Sequence, residues 1–163
     1  MSIKREDYID VGTKLQELCC PQVVGLALLP ENFQSANTIE QFRQTSEAAT
    51  VKKLLKAAGV ELIELFNRAQ RPRYIHNNAA DWVAPTLFIS SALWSQNSQA
   101  VSVALSVIAN YLTDLFKGVD TAIVKLDVVV EKTKTRKYIK ISYEGSVTGM
   151  TALEEVLKEV VDE

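Results

Sequence analysis

The stretch YIHNNAADWVAPTLFIS, residues 74–90, holds the single histidine of the chain, His76. Histidine is the one side chain that titrates near neutral pH without perturbation, so a general base could use His76, although a structural or surface histidine is the default expectation. Asp81 or Glu144 would be its acidic partner. The surrounding motifs give this enzyme reading little support. No serine stands in a GxSxG elbow, and Cys19 and Cys20 have no catalytic motif around them. One histidine cannot build a His-rich metal site, so no metal and no cofactor are expected. Read structurally, Asp81 accepts hydrogen bonds from loop backbone donors and Trp82 closes the loop over the core. Read as a binding surface, Tyr74, Asn77, Asn78 and Trp82 line one side of a pocket.

The other side of such a pocket would come from YEGSVTG, residues 143–149. Gly145 and Ser146 lie there in a turn that leads into a helix, and backbone donors at helix starts attract anions. The turn lacks the lysine and the spacing of a P-loop and does not match GxGxxG. A turn joining strand to helix accounts for it.

Charge is unevenly spread. Lys132, Lys134, Arg136, Lys137 and Lys140 form a cluster without an acid, and Glu154, Glu155, Glu159, Asp162 and Glu163 crowd the C-terminal segment. Tyr138 is the one aromatic in the basic cluster, too few for base stacking, so nucleic acid is not the expected partner. Pairing of the two clusters between copies would favour an oligomer. The net charge of -2 gives no steering toward nucleic acid or membrane. The opening residues MSIKREDYID have no apolar core of a signal peptide. Adjacent cysteines rarely bridge, and two free thiols fit a reducing, cytoplasmic compartment. Both read as small apolar residues ending a helix.

These residues must be held by regular elements. Tyr8, Val11, Leu15 and Leu18 fall at helical spacing and predict a helix over 6–20 that Pro21 stops. VVGLALL, residues 23–29, predicts a buried strand. Asn37 with Glu40 forms a capping box that predicts a helix, with Ile39 and Phe42 inward. Residues 50–65 predict a helix, a stop at Gly59 and a strand from Val60 to Leu65. Residues 71–77 predict a short edge strand, since Pro72 cannot donate to a ladder. Residues 85–94 fit strand or helix equally. A long helix over 97–117 has a thin polar line, Ser98, Ser102, Ser106, Asn110 and Asp114. Nearly everything else on it is apolar, which predicts burial nearly all round. Its polar line and the lack of aromatic belts argue against a membrane span. Alternation over 124–130 and 139–143 predicts two strands joined by a hairpin. Thr151 with Glu154 predicts a capped last helix.

The expected fold is therefore a single α/β (or α+β) domain over 1–163. One mixed sheet of about four or five strands carries helices, with a long central apolar helix and a C-terminal hairpin followed by a helix. The stretch from Val23 to Leu65 offers a βαβ unit. The expected function is a non-enzymatic interaction or assembly protein, self-associating or a subunit of a larger complex, with helix 97–117 partly in the interface. A small-ligand or nucleotide-binding domain is the alternative, and an enzyme using His76 with Asp81 or Glu144 is the second alternative.

Overall fold

The computed structural model describes residues 2–75, 82–119, 122–132 and 137–162, and of Trp82 the backbone alone. Its elements run β1 (Ser2–Tyr8), α1 (Val11–Glu17), β2 (Leu26–Leu29), β3 (Arg43–Thr45), α2 (Glu47–Ala57), β4 (Arg73–Ile75), β5 (Trp82–Val83), β6 (Thr86–Ile89), α3 (Ser91–Leu115), β7 (Val124–Glu131), β8 (Tyr138–Gly145) and α4 (Thr151–Asp162). The main sheet has the order β1-β8-β7-β6-β2, with the short β5 added alongside β7; β3 and β4 form a separate parallel pair. β6 and β7 are parallel and the other pairs along that order are antiparallel, so the sheet is mixed, as expected.

Strand alternation builds two cores, one on each face. Leu26, Leu28, Leu87, Ile89, Leu126, Val128, Val130, Ile139, Ile141 and Tyr143 pack with α2, α3 and α4. The intervening Ala27, Leu29, Phe88, Val129 and Tyr138 pack with α1, Phe33 and Phe42. The second layer does not reach the β1–β8–β7 corner. There the register rows Ser2–Glu144–Lys125 and Lys4–Ser142–Asp127 replace apolar residues.

Several sequence expectations are corrected. Residues 6–8 are strand, not helix: β1 pairs with β8 through Tyr8 opposite Tyr138, and Asp10 caps α1 by accepting the Thr13 N–H at 2.9 Å. Cys20 is half-buried, but Cys19 is exposed in a left-handed conformation just past that helix. The strand expected over 23–29 starts only at Leu26, because Gly25 has φ +146°. The Asn37–Glu40 box opens no helix. The Gln41 side chain takes the Asn37 N–H at 2.9 Å, a single 3-10 turn follows, and Phe42 returns to extended backbone. Between Val60 and Leu65 there is one bridge, Leu62 to Leu26, rather than a strand. The βαβ unit of the main sheet is β6–α3–β7, not the 23–65 stretch. Thr151 is itself helical, so it is no cap. The Glu154 carboxylate accepts the Ser102 hydroxyl and lies 3.6 Å from Lys158. The short edge strand appears as β4, and residues 85–94 resolve into β6 followed by the start of α3.

The long helix begins at Ser91, six residues before the predicted start at Asn97, because Ser90 caps it through the Leu93 N–H. Asn97 kinks it, at φ -154° and ψ 67°. It is not buried all round. Val101, Ala104, Leu105, Ile108 and Leu112 face the sheet, while Val103 and Leu115 stay exposed beside Ser106 and Asn110. Among the described residues no helix is long and apolar enough to cross a membrane.

Candidate functional site

A cleft of about 420 Å³ opens at the carboxyl ends of β6 and β7, within the size range of small-molecule sites. In an open α/β sheet this end of a parallel pair is where ligands usually lie. Asp10 and Gly12 of α1's start, Ser90 and Ser91 of α3's start, Glu131 and Tyr138 line it. Local rules place each of them. Ser90 and Ser91 open α3, Glu131 ends β7, and Tyr138 begins β8 directly opposite Glu131 in the register.

Glu131 is the hub. Its Oε1 accepts the Ser91 N–H at 2.9 Å and the Ser91 hydroxyl at 2.8 Å. Its Oε2 accepts the Tyr138 hydroxyl at 2.9 Å. The Tyr138 oxygen in turn accepts the Gly12 N–H at 3.4 Å. Burial pushes the Tyr138 hydroxyl well above the usual tyrosine range, helped by the hydrogen bond and charge of Glu131. Tyr138 is therefore a fixed donor at neutral pH. Gly12 fits closely into this joint, since a Cβ there would lie 3.2 Å from both the Tyr138 oxygen and Gln22 Oε1 and would push them back. Ser90 is spent too, its hydroxyl oxygen accepting Gly25 N–H at 2.8 Å and Leu93 N–H at 3.3 Å.

Chemically this is a knot. Of the two carboxylates that line the cleft, Asp10 accepts the Thr13 N–H and Glu131 holds three donors, and the phenol beside Glu131 keeps its proton. The network ties α1, α3 and the β7–β8 hairpin together, and it offers binding groups at its rim more readily than catalysis.

Of the candidates read from the sequence, those that the structure describes do not line this cleft. His76, Asn77, Asn78 and Asp81 fall outside the described residues. The backbone of Trp82 pairs with Val124, whose other neighbour is Gly145, so these two do share one end of the sheet. The Ser146 hydroxyl is used inside its own turn, 3.1 Å from the Thr148 hydroxyl and accepting the Gly149 N–H at 3.3 Å. Tyr74 sits on β4 and lines a small recess of about 50 Å³ with Leu28, Gln44 and Phe66, which neither Gly145 nor Ser146 touches. Glu144 is exposed, between Ser2 and Lys125 in the register. Of the basic cluster, Lys140 pairs with Glu6 of its own β1 at 2.9 Å. No group of three or more potential metal ligands occurs among the described residues.

Neither Glu131 nor Ser91 is marked as a site residue by the sequence motifs. The paired serines opening a helix were the available signal for Ser91, while nothing local marks Glu131. No protein-family model matches the chain, and neither does any curated protein or solved structure.

Proposed function

We propose that this chain is a non-enzymatic, self-associating assembly domain of the cytoplasm, and that a second copy docks on β1. The observation that supports it is the β1 edge. Among the described residues β1 pairs with β8 on one side only and ends the sheet. Its seven residues are mostly exposed, and an unpaired strand edge is a template for another strand. The apolar excess of the long helix, which first favoured assembly, is largely used in the core.

Charge order selects the partner. Two cations, Lys4 and Arg5, precede two anions, Glu6 and Asp7. A two-fold axis normal to the sheet pairs two β1 strands antiparallel, and facing residues then share a face. With the axis at Glu6, Arg5 faces Asp7 twice and Lys4 faces Tyr8. The two Glu6 carboxylates meet at the centre, but each is already held by its own Lys140 at 2.9 Å. Opposite charges facing across strands contribute roughly 0.2–1 kcal/mol per pair. A strand guarded against other edges by charge is thus matched to itself.

Sedimentation velocity over a wide concentration range tests this. A monomer–dimer equilibrium that weakens as salt rises is expected. A strict monomer at high concentration would sink the proposal, leaving the β1 charges as guards of a lone edge.

A second reading, a small polar ligand in the Glu131 cleft, is favoured by the position of that cleft at the carboxyl ends of a parallel pair. A thermal shift by a metabolite or nucleotide would support it.

A further inference from the structure

A groove of about 370 Å³ lies at the β3–β4 pair, lined by Arg43, Arg71 and Arg73 with Glu40 as its one acid. Arg43 and Arg73 are direct register partners on these two parallel strands. Like charges side by side on paired strands oppose the pairing, and each strand is only three residues long. The protein nevertheless fixes one of them. Both Nη1 protons of Arg43 go to backbone carbonyls, of Glu40 at 3.0 Å and of Phe42 at 2.8 Å. This leaves its Nε and Nη2 donors without a partner among the described residues. The Arg71 and Arg73 side chains have no ion pair or hydrogen bond there either, and both residues are exposed. Pro72 between them has its φ fixed by its ring, which limits the ways the two side chains can separate.

We infer that this groove binds a small phosphate-bearing anion. Guanidinium forks match phosphate oxygens bidentately, and three of them around one groove suit a diphosphate or a phosphate monoester with a polar body. Gln70 at the rim has its side-chain oxygen committed to the Asn67 N–H, so its amide donors remain for the ligand. Bound anion would neutralise the Arg43–Arg73 repulsion, coupling occupancy to the stability of β3–β4. The site is independent of β1 and of the proposed assembly.

Isothermal titration with inorganic pyrophosphate at constant ionic strength tests it, with melting temperature recorded in parallel. Saturable binding and a raised melting temperature are expected. Arg73→Gln should weaken binding at least tenfold, Arg73→Lys should weaken it less, and Lys53→Gln, on the outside of α2, should leave it unchanged. Arg71→Gln serves as the second groove variant, and the melting curve without ligand confirms that each variant is folded. Absence of saturable binding to the wild-type chain would overturn the inference, and so would equal affinity in folded Arg73→Gln and Arg71→Gln chains.

Discussion

The Glu131 cleft and the β1 edge are both polar, and they treat their polarity in opposite ways. In the cleft each strong group answers another of the same chain: Ser91 and Tyr138 donate to Glu131, and Gly12 donates to Tyr138. On β1 the backbone has a partner strand on one side only among the described residues, and Lys4, Arg5, Glu6 and Asp7 stand in an order that a second β1 would complement. Paired polar groups fix a fold, whereas an unpaired strand edge is open to another strand.

The largest expected effect of a substitution lies in the cleft. Glu131→Ala removes the acceptor of three hydrogen bonds and should cost about 3 kcal/mol of folding stability, measured by urea unfolding. A loss under about 0.5 kcal/mol, the range of ordinary surface changes, would show that the knot does not hold α1, α3 and the hairpin together. Tyr138→Phe should cost about 1–2 kcal/mol by the same measurement, because it takes one donor from Glu131. Gly12→Ala should cost about 1 kcal/mol or more, since the added methyl must push back the Tyr138 hydroxyl or Gln22.

The same tyrosine sets an alkaline limit. A phenol whose folded pKa lies above its unfolded value stabilises the fold fully below the unfolded value, near 10. That contribution is lost as pH rises from there, because the folded state then holds a proton that the unfolded chain gives up. Tyr8 and Tyr143 are raised as well, both chiefly by burial. Unfolding free energy should therefore fall above about pH 10, by up to about 1.4 kcal/mol per pH unit for each such tyrosine. Tyr138→Phe should make the fall shallower. An unchanged slope in that variant would separate the hydroxyl from the stability of the cleft.

Much of the fold was legible locally. The alternation over 124–130 and 139–143 and the apolar stripe of α4 needed no distant partner to be recognised, and β7, β8 and α4 formed where they were read. β1 was hidden because Tyr8, Val11 and Leu15 fall at helical spacing, while its extended form comes from pairing with β8, more than a hundred residues away. The Asn37–Glu40 box was a true local signal that lost to the Gln41 side chain. The cleft was hidden for a similar reason. Ser91 and Glu131 are 40 residues apart and meet only because α3 returns the chain to a strand parallel to β6. Rarity marks His76 in the sequence, whereas the hub of the network is one of many glutamates.

The most direct test of the assembly is a charge-exchange cycle on β1, read by sedimentation equilibrium. Arg5→Asp alone and Asp7→Arg alone each place like charges opposite each other twice in the dimer, and each should raise the dimer dissociation constant about tenfold or more. Carried together, the two changes restore opposite charges in exchanged positions and should return the constant to near its original value. A dimer that is indifferent to all three variants, or one that the double variant fails to restore while the chain remains folded, would contradict pairing through β1.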